Sequence, residues 1–418
     1  MKTISVIGLG NRGTEYMLIT KLFCKNVKIV ALCDISQQAL DDIAPRYKIP
    51  KENCFLSADD FFAKGRISDA VFICTQDKTH YEIGKRAIEL GYQILMEKPV
   101  SDNLAECIEL RDLAKTHNVN VVVCHVLRYS NYYQKIKNTI RSGDIGKIVN
   151  INHTENVGYF HFAHSYVRGN WKSAISSTPS LMAKCCHDLD LIQWFMESEC
   201  TSISSYGGLS IFKKDNAPEG AAERCLDCKV SNCPYNAVNL YLTDPFWKAK
   251  FIKYLRRTLT GKSKSTKEDV KNALEIGDYG RCVYFSQNDV SDHQVVAMQF
   301  ANGATATHTL NAFSNTMMRE SHIVGTKGEL IAYDKKLKMN IFGGRRRTLN
   351  RGSIITGHIE GDFRTVIAFC KLLNGKLSET LMRDVTFISD TISSHQIVMA
   401  AEKSRCNGGI PVNPKDIV

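Results

Sequence analysis

Thr3-Ile4-Ser5-Val6-Ile7-Gly8-Leu9-Gly10-Asn11-Arg12-Gly13 is the stretch that decides the fold of the first part of this chain. The apolar run from Thr3 to Leu9 reads as a buried strand, and helical spacing follows from Gly13 to Leu22. Between them stands G-x-G-x-x-G, a pattern that turns a chain tightly from strand into helix. Gly8 permits the turn. Gly10 has no side chain to block a diphosphate, and Gly13 lets helix and strand pack closely. Unpaired N–H groups at the start of that helix favour an anion, so the loop, with Asn11 and Arg12 in it, is the expected floor of a dinucleotide site.

Working outward, Lys28 to Cys33 is a second strand ending at Asp34. An acid about 20 residues beyond the glycines completes the dinucleotide pattern. Such a carboxylate accepts hydrogen bonds from a ribose 2′-hydroxyl and repels a 2′-phosphate, which favours NAD over NADP. Arg12 argues the other way, since an arginine in the loop can pair with that phosphate. Ser36 caps a helix through Tyr47, and Ser57 to Asp60 opens a short one. Asp69 to Thr75, Gln93 to Met96 and Val119 to Val126 are apolar strands. Thr79 to Leu90, closed by Gly91, and Ser101 to His117 are helices. Strands this uniformly apolar are covered on both faces, the mark of a parallel, doubly wound α/β sheet. Residues 1–127 are therefore expected to form an NAD-binding Rossmann domain.

After a helix from Ser130 to Arg141 the pattern changes. Ile148 to Glu155, Gln294 to Phe300, Ala304 to Asn311 and Ser321 to Val324 alternate, as strands of a sheet with one covered face do. Helices are expected at Leu181 to Phe195, Phe363 to Leu373 and Ser389 to Lys403. Residues 128–418 then form an α+β substrate-binding and oligomerisation domain with an open-faced, mostly antiparallel sheet. Residues 218–272, Cys-containing and then basic, read as an insertion.

Composition bounds the function. The 418 residues are 44% hydrophobic and 23% charged, the balance of a globular protein. No apolar stretch reaches the roughly 18 residues that span a bilayer, and Met1 to Leu9 lacks the features of a signal peptide, so a cytoplasmic location and no membrane partner are expected. The net charge of +11 collects at Lys248 to Lys271 and at Arg345-Arg346-Arg347, neither of them interleaved with aromatic residues in a known nucleic-acid motif. That reads as a solvated face that attracts anions, with no nucleic-acid partner. Most of the fifteen cysteines fall in strands and helices, as reduced thiols do in a reducing compartment.

Glu97-Lys98-Pro99 follows the apolar strand Ile94-Leu95-Met96. Open α/β sheets bind ligands beyond the carboxyl ends of their strands, so this pair faces the crevice. A partly desolvated lysine there can shuttle a proton near neutrality. At this point the sequence resembles the Gfo/Idh/MocA family of oxidoreductases. The residues that carry the resemblance are the glycine loop, Asp34, Thr75-Gln76 with His80, Glu97-Lys98-Pro99, Arg128-Tyr129, Ser142 to Lys147, Cys186-His187-Asp188-Leu189-Asp190 and Gly325-Thr326-Lys327-Gly328. The resemblance implies NAD(P)-linked oxidation of a sugar, inositol or related polyol at a ring carbon. It implies also that the C-terminal sheet mediates a homodimer or homotetramer. On this reading Lys98 hydrogen-bonds the reacting hydroxyl and His187 is the acid/base. Thr75, Gln76, His80 and Glu97 line the nicotinamide side, and Lys98 and Arg128 join the cofactor-binding set. Many members carry an aspartate four residues before this histidine; here the position is Ala183, so a simple Lys–Asp–His relay is in question.

His187 also stands at i,i+3 from Asp190 on an expected helix, and a histidine exchanges protons near pH 7. His164, Arg168 and Trp171 lie in a run rich in side chains that bind hydroxyls, carboxylates or a sugar face. His293 and the segment from His358 to Asp362 are weaker candidates. Cys225-x2-Cys228-x4-Cys233 has thiolate spacing that can converge on one ion, with Cys282, on an expected strand, as a fourth ligand. A structural zinc, free thiols and an iron–sulfur cluster all stay open. Three functions are compatible with this chain. One is a dehydrogenase using a sugar or cyclitol. The second is a glycosidase or lyase that oxidises transiently and makes no net NADH. The third is a non-catalytic dinucleotide-binding regulator.

Overall fold

The structure, a computed structural model, describes residues 1–243, 249–262, 264–351 and 358–417. Lys248 of the basic run and the His358 side chain lie outside the described parts. Among the described residues the chain forms two sheets. The first takes β1 (Lys2–Ile7), β2 (Val27–Cys33), β3 (Cys54–Phe55), β4 (Ala70–Ile73), β5 (Gln93–Met96) and β6 (Val121–Val123), all paired in parallel, in the order β3-β2-β1-β4-β5-β6. Connecting helices are α1 (Asn11–Phe23), α2 (Gln37–Tyr47), α3 (Ala58–Ala63), α4 (His80–Glu89) and α5 (Leu104–Thr116). This is the doubly wound Rossmann order, and its direction reverses between β1 and β4.

Local chemistry accounts for several of these boundaries. The Ser36 side chain accepts from Ala39 N–H to start α2, and Gly91 takes φ +76° after α4. The strand expected from Val119 to Val126 is shorter. His125 N–H bonds back to Val123 C=O, and Val126–Tyr129 winds into a 3₁₀ turn. Val71, Ile73, Ile94 and Met96 pack against α4 and α5 on one face. On the other, Ile4, Val6, Phe72 and Leu95 pack against Tyr16 and Met17 of α1 and against Val366 and Phe369.

Val366 and Phe369 belong to a helix returning from the far end of the chain. Between lie α6 (Asn131–Arg141), capped by Ser130, then β7 (Ile148–Asn156), α7 (Tyr159–Phe162) and a π-helical turn at Ala163–Arg168. There follow α8 (Ser180–Met196), β8 (Cys200–Gly208), α9 (Ala249–Thr260), α10 (Lys267–Ile276), β9 (His293–Phe300) and β10 (Thr305–Asn311). Next come β11 (Met318–Gly325), β12 (Gly328–Tyr333), β13 (Lys336–Ile341) and β14 (Arg346–Arg351). The chain finishes with α11 (His358–Leu373), α12 (Glu379–Met382) and α13 (Ile388–Cys406). The second sheet has the order β14-β13-β12-β11-β7-β10-β9-β8, antiparallel except for the β7–β10 pair. Burial alternates residue by residue along β9, as in a sheet with one wet face, and α8 and α13 cover the other. No helix among the described residues is long and apolar enough to cross a membrane.

Candidate functional site

The glycine loop needs its glycines. Gly8 takes φ +92°, and a Cβ there would stand 2.5 Å from Cys74 C=O. A Cβ on Gly13 would stand 1.9 Å from Gly8 C=O, so α1 can approach β1 this closely only without one. A Cβ on Gly10 would project into open space, and no side chain caps the first N–H groups of α1, which begins at Asn11. An open cradle beside uncapped helix donors fits a diphosphate. Asp34 stands beside the loop, at the end of β2. Its carboxylate accepts from Leu9 N–H at 2.6 Å and from Ser36 N–H at 2.8 Å, which ties it to the loop.

Arg12 is engaged elsewhere. Its guanidinium makes two bonds to Asp362, at 2.8 and 2.6 Å, and lies 3.1 Å from Glu97 and 3.3 Å from Glu15. Asp362 thus has an anchoring role inside the weak candidate segment. Glu97, expected to line the nicotinamide side, is buried and also accepts from Tyr16 Oη–H at 2.5 Å. Burial opposes its ionisation, but Arg12 and Tyr16 outweigh that and hold the carboxyl below its usual range.

Beyond β4, Gln76 is exposed, while Thr75 accepts from Thr79 through its hydroxyl. His80 is fully buried, with Nδ1 2.6 Å from Pro99 C=O and Nε2 3.2 Å from Thr75 C=O. It staples the segments after β4 and β5 together. Asp77, which the sequence does not single out, receives Trp171 Nε1–H at 3.1 Å and Thr178 Oγ1–H at 3.0 Å. That pair places Trp171 at the rim of the first sheet.

Lys98, at the end of β5, is partly exposed and donates to Ala183 C=O at 2.6 Å. Ala183 lies one turn before His187 on α8, so the amine and the imidazole share a helix face. His187 is buried, and its ring meets His125 edge-on at 5.7 Å; His125 in turn meets His395 at 5.9 Å. Burial, foremost, lowers His125 to about 4 and His395 to about 3. His395 Nε2 accepts from Val100 N–H at 3.0 Å. Arg128, assigned to the cofactor by resemblance, instead forms a buried two-bond pair with Asp190 at 2.7 and 2.6 Å, stacked over Trp194. Next to His187, Asp188 takes His153 at 2.8 Å and Arg319 at 2.6 Å. This pair fastens α8 to β7 and β11. Signals for it existed in β7, where His153 and Glu155 break the usual rule by pointing polar side chains inward.

His164 and Arg168 do not join this group. His164 Nδ1 is 2.8 Å from Tyr241 Oη and its ring stacks on Tyr279, burial lowering it to about 3. Arg168 donates to Arg281 C=O and Tyr235 C=O, both at 2.7 Å. The π-helical turn gives both side chains partners in the insertion and in the segment that follows it. His293 stands half-exposed against Asp292 at the start of β9. Cys225, Cys228, Cys233 and Cys282 form no disulfide, and the strand expected from Gly280 shrinks to one bridge, Arg281 with Arg224, because Phe285 N–H turns back to Cys282 C=O.

The sequence reading also missed α9. Its Arg257 donates to Thr14 Oγ1 at 3.1 Å and Leu9 C=O at 3.3 Å, and Asn11 donates to Thr258 at 3.2 Å. The basic insertion therefore lies over the glycine loop.

Residues 2–125 match the family described as oxidoreductase, NAD-binding Rossmann fold, and residues 137–361 match its C-terminal alpha/beta domain. The chain belongs to the Gfo/Idh/MocA oxidoreductase family. A Gfo/Idh/MocA relative, the putative oxidoreductase YteT of Bacillus subtilis (strain 168), is 22% identical over 79% of this chain and 76% of its own length. Inositol 2-dehydrogenase of Acidothermus cellulolyticus is 23% identical over 49% of this chain, which spans 56% of that enzyme. The fold matches an oxidoreductase from Agrobacterium radiobacter crystallised with NAD+, L-tartaric acid and magnesium, at a TM-score of 0.69 and 15% identity, over 100% of this chain and 99% of that one. This Gfo/Idh/MocA chain thus pairs an NAD-binding Rossmann sheet with a mostly antiparallel second sheet.

Proposed function

We propose that the chain is an NAD-dependent oxidoreductase acting on a ring hydroxyl of a sugar, sugar derivative or cyclitol. The observation that carries this reading is the convergence of Lys98 and the His187 turn of α8 beyond the carboxyl ends of β1, β4 and β5. The glycine loop and α1 would hold a dinucleotide diphosphate, and Asp34 its adenosine ribose. Asp34 at the loop supports NAD over NADP, as does Arg12, whose guanidinium is taken up by Asp362 and Glu97. When bound, a nicotinamide supplies or accepts the hydride. Lys98 then hydrogen-bonds the substrate oxygen and His187 takes or returns its proton. Trp171, fixed by Asp77, presents a flat face for a sugar ring. Similarity to an inositol 2-dehydrogenase supports a cyclitol or sugar as substrate. Exposed Val149, Tyr206, Val295 and Tyr333 on the second sheet support its use as a homodimer or homotetramer interface. A cytoplasmic location and a boundary near residue 127 belong to the same reading.

The test is a panel of inositols, free sugars and aryl glycosides with NAD, following NADH and released aglycone together. One NADH per substrate oxidised is expected. Aglycone release without net NADH would replace this reading with the eliminating glycosidase, and inertness toward the whole panel would sink it.

A further inference from the structure

The cysteines of the insertion take no part in the chemistry above, yet they gather. Arg224 and Arg281 pair directly, with Cys225 N–H bonded to Gly280 C=O at 2.9 Å and Cys282 N–H to Glu223 C=O at 2.8 Å. Side chains alternate across such a pair, so Cys225 and Cys282 share the face opposite the two arginines. Cys228 and Cys233 follow Cys225 on the same loop, so the four cysteines come from two separated segments joined at this bridge.

Arg168 is the independent observation. It is 1% exposed, its Nη2 lies 3.4 Å from Cys225 Sγ, and its Nη1 is buried without a hydrogen-bond partner. Its Nε and Nη2 bonds go to neutral main-chain carbonyls. A buried guanidinium held only by neutral groups calls for a compensating anion. The surrounding core is small, built on Phe160, Ala237, Leu240, Tyr241, Val270 and Leu274. Segments this thinly packed gain most from a metal crosslink.

We propose that Cys225, Cys228, Cys233 and Cys282 bind a structural zinc ion as a tetrathiolate, with Arg168 as its buried counter-charge. The four thiols release their protons to water as the four sulfur–zinc bonds form, leaving a dianionic centre beside the guanidinium. Among the described residues no three donors are already gathered tightly enough to hold an ion, so closure takes rotation of the cysteine side chains about Cα–Cβ. The site pins the insertion to the segment before β9, and through the insertion it steadies α9 over the glycine loop.

The test is elemental analysis of the full chain, purified anaerobically without chelator or metal-charged resin, together with thiol titration. About one zinc per chain is expected. Cys228→Ser and Cys233→Ser should each lower it at least about tenfold. Cys406→Ser, exposed at the end of α13, should leave it unchanged. Cobalt(II) replacement should give thiolate-to-cobalt charge-transfer absorption that both cluster variants lose. A metal-free wild-type chain with all four thiols titrating, or iron with acid-labile sulfide, would overturn the proposal. Metal content is read without any substrate, so this result stands apart from that of the sugar assay.

Discussion

The ammonium of Lys98 donates to the main-chain carbonyl of Ala183, one helical turn ahead of His187. The amine is thus held by α8 itself, with no carboxylate partner at position 183. Lys98→Ala should lower kcat at least about a hundredfold, the usual reach of positioned acid–base groups. NAD affinity should stay within about tenfold, since the loop and Asp34 are untouched. Steady-state kinetics alongside a fluorescence titration of NAD checks both. Near-normal turnover in the variant would remove Lys98 from the mechanism.

Asp34 predicts cofactor choice. Asp34→Ala removes the acceptor expected for the ribose 2′-hydroxyl and the repulsion toward a 2′-phosphate. The ratio of kcat/KM for NAD to that for NADP should fall by about a hundredfold. An unchanged ratio would mean that another group selects the cofactor.

Arg257 reaches over the glycine loop from α9. Arg257→Ala should weaken NAD binding by about threefold to tenfold, with the difference shrinking at high salt as screening grows. Isothermal titration at two ionic strengths measures it. Equal affinity in variant and wild type would reduce α9 to a passive cover.

Buried histidines make stability fall in mild acid. Burial above all lowers His125 to about 4 and His308 and His395 to about 3, whereas an unfolded histidine takes its proton near about 6.5. Between those limits the unfolded chain binds more protons, so stability is complete above the upper one and is lost as pH falls through the window. Each such residue contributes up to about 1.4 kcal/mol per pH unit there. Urea midpoints should drop between about pH 7 and pH 4.5. His308→Phe, in the stacked pair with His153, should flatten that slope. A midpoint constant across the window would contradict the assignment.

The first sheet was legible because its signals are local. Glycines, an acid at a strand end and uniformly apolar strands need no long-range information. Lys98 was legible for the same reason, as a charge at the end of a buried strand. The partners of His164 and Arg168 were not legible, because a run of sugar-binding residue types says nothing about direction, and a π-helical turn carries both. Arg128 pairs with Asp190, and Arg12 pairs with Asp362, 350 positions away. Such partners meet only in the folded chain. The strands β12 to β14 and the clasp of α9 were missed for similar reasons: the strands are short, and the clasp depends on packing between distant segments.

The arginine triplet at Arg345-Arg346-Arg347 runs into β14, the outermost strand of the second sheet, with all three side chains exposed. A border strand carries unsatisfied main-chain donors and acceptors that invite another strand to add on. Dense like charge on both surfaces of that border repels a second copy before main-chain bonds can form. Part of the chain's surplus of positive charge therefore acts as a guard against aggregation.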